Sequence, residues 1–260
     1  MEDTYSQKRL ERLKHIHDYL KFDYSLAVRN IEQGVGDVMG CLRLLHGYAK
    51  AKAVLAWFED ESLKDTRQWS YTAAKLRQKY WLMKGDTTNA GIKNFELLEP
   101  LLSNNQLVIN WYAHYDAIYD MRYVDKEQSE DFFAYQSIVA LRAEWTLLED
   151  RCRRVAATPS TRLKSLHGYH YFYSALSQGD KAAMVKALEQ MIIPKLLRSR
   201  HSEESGFTEN LIFTRIITCI KIAWLHGYEI EISSPYVPMK WMPMEPLPTY
   251  NNYYSFLAND

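Results

Sequence analysis

Residues 37–60, DVMGCLRLLHGYAKAKAVLAWFED, determine the fold class that the sequence predicts. Asp37 is of a type favoured at helix N-caps, and the helical pattern ends near Asp60. Between them, apolar side chains recur every three or four positions, which is the period of an α-helix: Val38, Met39, Leu42, Leu45, Ala49, Val54, Leu55 and Phe58. The segment therefore predicts one long helix.

The same period continues on both sides of this helix. Upstream it predicts helices over residues 6–19 and 23–33. Downstream it predicts helices over residues 62–84, 89–102, 105–123, 125 or 129 to 155, 161–176, 181–200 and 208–226. Pro194 is expected to kink or restart its helix, and Gly227 to end the last one. The predicted fold is all-α, a single-domain bundle of about ten antiparallel helices.

The last part of the chain changes character. Residues 229–233 (EIEIS) alternate and predict at most one short β element or an extended stretch. Residues 234–260 then combine prolines with many aromatic side chains, whereas disordered segments are usually poor in aromatics. We expect an extended C-terminal strap that packs on the helices and buries Tyr236, Trp241 and Tyr254.

Length and composition set the class of protein. The 260 residues, 47% of them hydrophobic, are enough for one domain spanning 1–260 with its own core, and a sub-boundary is predicted at 156–160 around Pro159. Cys41, Cys152 and Cys219 are few and far apart, as is typical of a reducing compartment. The first twenty residues lack the apolar region of a signal peptide, and we find no stretch of about 18 uncharged apolar residues. A cytoplasmic protein is predicted.

The sequence contains none of the catalytic and cofactor motifs that we sought. HExxH, ExxH, GxSxG, GxGxxG and P-loop patterns are all missing. His167 and His170 share a helical spacing, but we interpret them as partly buried histidines rather than metal ligands. The net charge is zero, with 32 Lys and Arg against 32 Asp and Glu, which argues against a nucleic-acid partner. No catalytic residue, metal or cofactor is predicted, although a deep pocket with converging histidine and carboxylates would favour an enzyme.

The nineteen tyrosines indicate a protein that binds another protein, because Tyr and Trp are enriched at protein interfaces. The predicted partner-binding residues are Trp111, Tyr112, Tyr115 and Tyr119. In the alternative interpretation, at least two of these four side chains pack inside the core. Arg215 lies in an apolar helix and is predicted to have a structural role, paired with Glu209 or with a carboxylate from a neighbouring helix.

Residues 161–245 follow an ordered pattern of helices, a glycine turn, an alternating stretch and a proline-bearing segment. Its residues are Gly179, Asp180, Phe207, Ala223, Gly227, Tyr228, Ile230, Pro235, Tyr236, Val237 and Pro238. This pattern resembles the Immunity protein 49 family of bacterial polymorphic-toxin systems. The resemblance implies an all-helical immunity protein, made in the cytoplasm, that binds a cognate toxin domain and neutralises it by occlusion.

The resemblance also implies structural roles for Gly227, Pro235, Tyr236 and Pro238, and a protein partner rather than a nucleic acid, a membrane or a metal. An alternative function is a helical-repeat-like adaptor or regulator that binds a peptide or protein.

Overall fold

Helices form the regular structure of the computed structural model, which describes residues 2–85, 96–157, 163 and 166–258, with residues 2–6 as backbone only. Twelve α-helices lie in these ranges: α1 (Glu2–Phe22), α2 (Tyr24–Gln33), α3 (Val38–Asp60), α4 (Leu63–Lys84), α5 (Leu98–Ser103), α6 (Gln106–His114), α7 (Glu130–Leu141), α8 (Trp145–Ala157), α9 (His167–Ser177), α10 (Lys181–Met191), α11 (Pro194–Ser202) and α12 (Thr214–Leu225). No β-strand occurs in these ranges. The all-α prediction is confirmed.

The α3–α4 hairpin forms because both of its helices begin at a side-chain cap. The Asp37 carboxylate accepts a hydrogen bond from the Gly40 amide at 2.8 Å, and the Ser62 hydroxyl accepts one from the Asp65 amide at 3.3 Å. Each cap satisfies a backbone amide that the helix itself leaves unpaired. The two helices then pack along their lengths, as the spacing of their apolar residues predicts.

Helix α12 joins the two halves of the chain because it packs against α5, α7 and α9. The predicted start of this helix at Thr208 is wrong. Instead, the Glu204 carboxylate accepts a hydrogen bond of 2.7 Å from the Thr214 amide, and the Thr208 hydroxyl binds the same carboxylate at 2.7 Å. Since the cap comes from Glu204, the helix begins at Thr214. One continuous hydrophobic core includes residues from Leu13 to Leu257.

Three other predicted helix boundaries differ from the structure. The helix that was predicted to reach Tyr123 ends at His114, because the Arg142 guanidinium binds the Ala113 carbonyl at 2.5 Å. The helix predicted to reach 155 is divided into α7 and α8, because Ala143 adopts a left-handed conformation with φ of 56°. The helix predicted over 181–200 is divided into α10 and α11, and Pro194 starts the second, which is one of the two outcomes expected of it. Residues 89–95, 158–162, 164–165 and 259–260 of the predicted segments lie outside the described ranges.

The C-terminal strap is present as an extended segment without strand partners in the described part of the chain. Trp241 and Tyr254 are each 2% exposed, which confirms their predicted burial, while Tyr236 is partly buried. The Gln68 amide forms two 2.9 Å hydrogen bonds with the backbone of Asn251, one in each direction. A side chain thus takes the place of a neighbouring strand.

A buried polar site fastens the strap to α5 and α12. The Asn104 side-chain amide donates to the carbonyls of Pro243 and Glu245 at 2.9 and 3.0 Å. The buried Lys221 ammonium donates to the Asn104 side-chain oxygen and, at 3.1 Å, to the Trp241 carbonyl. The strap carbonyls therefore accept hydrogen bonds from both helices.

Candidate functional site

Helix α6 presents an apolar surface to solvent. The Asn105 side chain caps the helix by accepting a 3.0 Å hydrogen bond from the Val108 amide. Leu107, Trp111 and Tyr115 follow at four-residue intervals, so they lie along one face of the helix. Leu107 is 81% exposed, and the partly exposed rings of Trp111 and Tyr115 stack with centroids 4.4 Å apart. We call these three residues the α6 patch.

The other two predicted partner-binding residues are inside the core. Tyr112 is 1% exposed and donates a 2.9 Å hydrogen bond to the Ala74 carbonyl. Tyr119 is 4% exposed and packs edge-on against Tyr135. The structure therefore agrees with the alternative interpretation, in which at least two of the four side chains are buried. Trp111 and Tyr115 remain available to a partner.

Arg215 was predicted to pair with Glu209 or with a carboxylate from a neighbouring helix. Its guanidinium lies 3.7 Å from the carboxylate of Glu203, which follows the end of α11. The other predicted partner, Glu209, instead binds Arg9 and Arg12 of α1 at 3.2 and 3.1 Å. Both carboxylates therefore connect the 203–209 loop to helices.

The residues given structural roles shape the start of the strap. Gly227 has a φ of 81°, a left-handed conformation suited to glycine directly after α12. Pro235 lies inside a turn closed by the 3.2 Å hydrogen bond from the Val237 amide to the Ser234 carbonyl. Tyr236 accepts a backbone hydrogen bond from the Phe213 amide at 3.0 Å, and the Pro238 carbonyl accepts one from the Trp241 amide at 2.9 Å.

A second candidate site, which the sequence did not predict, is a pocket of about 420 Å³ between α3, α4, the 203–207 loop and residues 96–99 at the start of α5. We call it the polar pocket. Its lining carries cations, carboxylates, a histidine, a hydroxyl and one aromatic ring: Arg43, His46, Lys50, Arg77, Glu96, Glu99, Glu203, Glu204, Ser205 and Phe207.

Two buried ion pairs form the inner wall of the polar pocket. Lys50 lies 2.7 Å from Glu99, and both side chains are more than nine-tenths buried. The Arg77 Nε donates to both carboxylate oxygens of Glu96, at 3.0 and 2.9 Å, and Trp81 adds a 2.9 Å hydrogen bond to Glu96. Burial lowers the pKa of Arg77, but the hydrogen bond and charge of Glu96 outweigh burial and raise it. The Arg77 guanidinium is therefore held charged by its carboxylate.

His46 occupies the same face of α3 as Arg43 and Lys50 and is only partly buried. Burial lowers the pKa of its imidazole to about 3, the positive charges of Arg77 and Lys50 add to this shift, and Glu96 opposes it. His46 is consequently neutral near pH 7. Its side chain lines the pocket, and a neutral imidazole offers one donor and one acceptor nitrogen.

Glu204 lies on the other side of the polar pocket. Burial raises the pKa of its carboxyl group, while hydrogen bonds from Thr214 and Thr208 oppose the shift. Glu203 beside it is shared by Arg200 and Arg215, at 3.1 and 3.7 Å. Glu204 has no ion-pair partner among the described residues, and its carboxylate accepts hydrogen bonds from hydroxyl and amide donors.

One local signal pointed to this pocket. Lys50 stands between Ala49 and Ala51 in the buried part of α3, where a charged side chain needs a partner. Its partner, Glu99, comes from 49 positions further along, and no spacing rule relates the two. The glutamates of the 203–207 loop are still more distant in sequence. The pocket was therefore missed because its parts come together only in the folded chain.

The buried cysteine thiols are not activated, and the side chains of the described residues that could bind a metal are not clustered. Burial raises the pKa of Cys152 and of Cys219 to about 12, so both thiols are protonated near pH 7. Across the described ranges, no group of three or more His, Cys, Asp or Glu side chains is arranged to hold a metal ion. None of the helices in these ranges is both long and apolar enough to cross a bilayer.

Comparison of the chain with protein-family models, with curated proteins and with solved structures gives no match in any of the three. Function is therefore argued from the chemistry of the α6 patch and the polar pocket, together with the resemblance over residues 161–245.

Proposed function

We propose that this chain is an immunity protein of the Immunity protein 49 kind, which binds a cognate bacterial toxin domain and neutralises it by occlusion. The α6 patch is the observation on which the proposal rests. A leucine that is 81% exposed beside two stacked aromatic rings is the combination expected of an interface anchor. Trp and Tyr contribute large contact areas and lose little conformational entropy when they bind.

The α6 patch is held rigidly, which favours tight binding because little ordering is needed on association. The Trp111 ring packs edge-on against Tyr112, at 4.9 Å between centroids, and Tyr112 is anchored in the core. The Tyr115 hydroxyl donates to the Trp81 carbonyl at 3.4 Å. Helix α6 thus presents preformed anchors from a fixed scaffold.

The residues on which the family resemblance rests support the proposal through the packing of the C-terminal scaffold. A Cβ at Gly179 would lie 2.9 Å from the Tyr228 hydroxyl, and the Tyr228 amide donates to the Ala223 carbonyl at 2.9 Å. Gly179 therefore lies against the Tyr228 side chain, and a larger residue at this position would displace it. A family that shares this C-terminal scaffold can vary its binding surface on helices such as α6.

The experiment is co-expression with the toxin domain encoded by the neighbouring gene. We expect cells to survive and the purified pair to co-elute in size-exclusion chromatography. Leu107→Asp should raise the Kd about 30-fold or more, since burying a charge at an interface anchor costs about 2 kcal/mol or more. Leu26→Asp, the same change at an exposed leucine of α2, is the matched control and should bind normally.

Two outcomes would reject parts of this proposal. Equal affinity of the Leu107→Asp and Leu26→Asp variants would show that the interface lies away from α6. Survival of the cells without a physical complex would reject occlusion, and would favour an enzyme that uses the polar pocket to reverse the damage caused by the toxin.

An adaptor that binds a peptide is the second candidate function. A groove of about 660 Å³ between α1, α3, α4 and the strap favours it, with Trp69 and Tyr253 stacked at 4.6 Å along one side. The two functions differ in what they bind. An adaptor would bind an unfolded peptide segment as well as the folded toxin domain, whereas an occluding immunity protein would bind only the folded domain.

A further inference from the structure

The polar pocket has two walls of opposite charge. On the α3–α4 wall, Lys50 forms an ion pair with Glu99 and Arg77 forms one with Glu96. Arg43 is the remaining cation of this wall. Arg43 is 59% exposed and lies 4.0 Å from Asp37, the limit of an ion pair. On the loop wall, Glu204 has no ion-pair partner among the described residues. The pocket thus offers one positive charge that is only weakly paired and one carboxylate without an ion-pair partner in the described ranges.

A negatively charged group is favoured beside His46. Arg43, the lining cation without a close carboxylate, lies on the same face of α3, and its guanidinium is 4.0 Å from the Asp37 carboxylate. A carboxylate placed there would accept a hydrogen bond from the imidazole and lie on the same helix face as Arg43, three residues earlier.

A positively charged group is favoured on the opposite wall. The Glu204 carboxylate is buried and accepts hydrogen bonds from the Thr208 hydroxyl and from the amide and hydroxyl of Thr214. Glu204 lines the same pocket as Arg43 and His46, so one ligand can contact both walls. An ammonium group at this wall would supply the ionic partner that Glu204 lacks.

We propose that the polar pocket binds a free α-amino acid with an apolar side chain. Its carboxylate lies between Arg43 and His46, its ammonium lies at Glu204, and its side chain packs on Phe207. The volume of about 420 Å³ is within the usual range for small-molecule sites. Because Arg200 and Arg215 pair with Glu203 from outside the lining, the three lining cations balance the three remaining carboxylates, and this suits a zwitterion better than a ligand with net charge. This binding is independent of toxin neutralisation.

Isothermal titration calorimetry on the full chain tests the proposal with three related probes. L-Phenylalanine carries both charges, L-phenylalaninamide lacks the carboxylate, and N-acetyl-L-phenylalanine lacks the ammonium. We expect L-phenylalanine to bind and each blocked derivative to bind at least tenfold more weakly. Equal binding of all three, or no binding of L-phenylalanine at 10 mM ligand, on the order of the weakest specific affinities, would overturn the proposal.

Two variants and one spectroscopic signal locate the site. Arg43→Gln should weaken L-phenylalanine binding at least tenfold, whereas Arg29→Gln, at an exposed arginine of α2, should leave it unchanged. The nitrogen-15 resonances of the His46 ring should shift during the titration, because the ligand carboxylate accepts its N–H. Binding with unaltered His46 resonances, or with equal affinity in both variants, would place the ligand elsewhere and reject this site.

Discussion

The inner wall of the polar pocket and the strap site each bury positive charge, but they stabilise it differently. Arg77 is accompanied by the Glu96 carboxylate, and the pKa of its guanidinium is raised despite burial. Lys221 is accompanied by the Asn104 side chain and backbone carbonyls, and burial lowers its pKa to about 7, with Arg67 adding to the shift and Glu245 opposing it. A buried cation thus keeps its charge securely only where a carboxylate accompanies it.

Removing the strap should have the largest effect on stability, since it removes the strap site around Lys221. Deletion of residues 234–260 would expose the surface that Trp241, Met242, Tyr254 and Leu257 cover, and would take the carbonyl acceptors from Lys221. Full burial of a large apolar side chain contributes about 1.5–3 kcal/mol, so we expect a loss of about 6 kcal/mol or more. Thermal melting followed by circular dichroism measures this, and an unchanged Tm would reject the role of the strap.

Breaking one ion pair should have the next largest effect. Glu96→Gln keeps the shape of the side chain but leaves the Arg77 guanidinium buried without a counter-charge. Such a change typically costs about 3–5 kcal/mol. Urea unfolding measures the free energy of unfolding, with Glu189→Gln on the exposed face of α10 as the matched control. A difference below about 1 kcal/mol between the two variants would mean that hydrogen bonds, and not charge, hold Arg77.

Over a single pH unit, the titration of Lys221 should change stability by the smallest amount of the three. Its pKa is about 7 in the folded protein, and the ordinary value for lysine is 10.5. Between these pH values, Lys221 is protonated in the unfolded chain and largely deprotonated in the folded protein. The contribution of Lys221 to stability therefore increases as pH rises from about 7 to about 10.5. The slope is at most about 1.4 kcal/mol per pH unit.

The difference in unfolding free energy between the wild type and Lys221→Met, measured by urea titration at several pH values, isolates this contribution. We expect the difference to change over the interval from pH 7 to pH 10. A difference that stays constant across that interval would show that the carbonyls and Asn104 keep the ammonium charged after all.

The all-α class, the α3–α4 hairpin and the packed strap could be predicted from sequence, because each follows from local signals. Asp37 and Ser62 cap their helices by short-range contacts, and the aromatic residues of the strap indicate burial. The boundaries that failed depend on distant partners. Arg142 ends α6 from 29 positions away, and Glu204 rather than Thr208 caps α12.

The candidate sites show the same difference between features set by local sequence spacing and features set by contacts between distant residues. The four-residue spacing of the α6 patch is visible in the sequence, and Trp111 and Tyr115 were among the predicted binding residues. The burial of Tyr112 and Tyr119 was the alternative that the sequence left open, because it depends on contacts with Ala74 and Tyr135 in other helices. The polar pocket needs four segments of chain to meet, and no single segment carries its pattern.

The fastening of the strap also bears on how the chain folds. Most helices here pack against sequence neighbours, an arrangement that allows fast folding. The strap contacts are different: Gln68 and Asn251 are 183 positions apart, and Asn104 and Pro243 are 139 apart. Such contacts close long loops, and their entropic cost must be met before they contribute stability. The strap therefore raises the contact order of an otherwise local helical protein, and its docking makes folding slower than the helices alone would require.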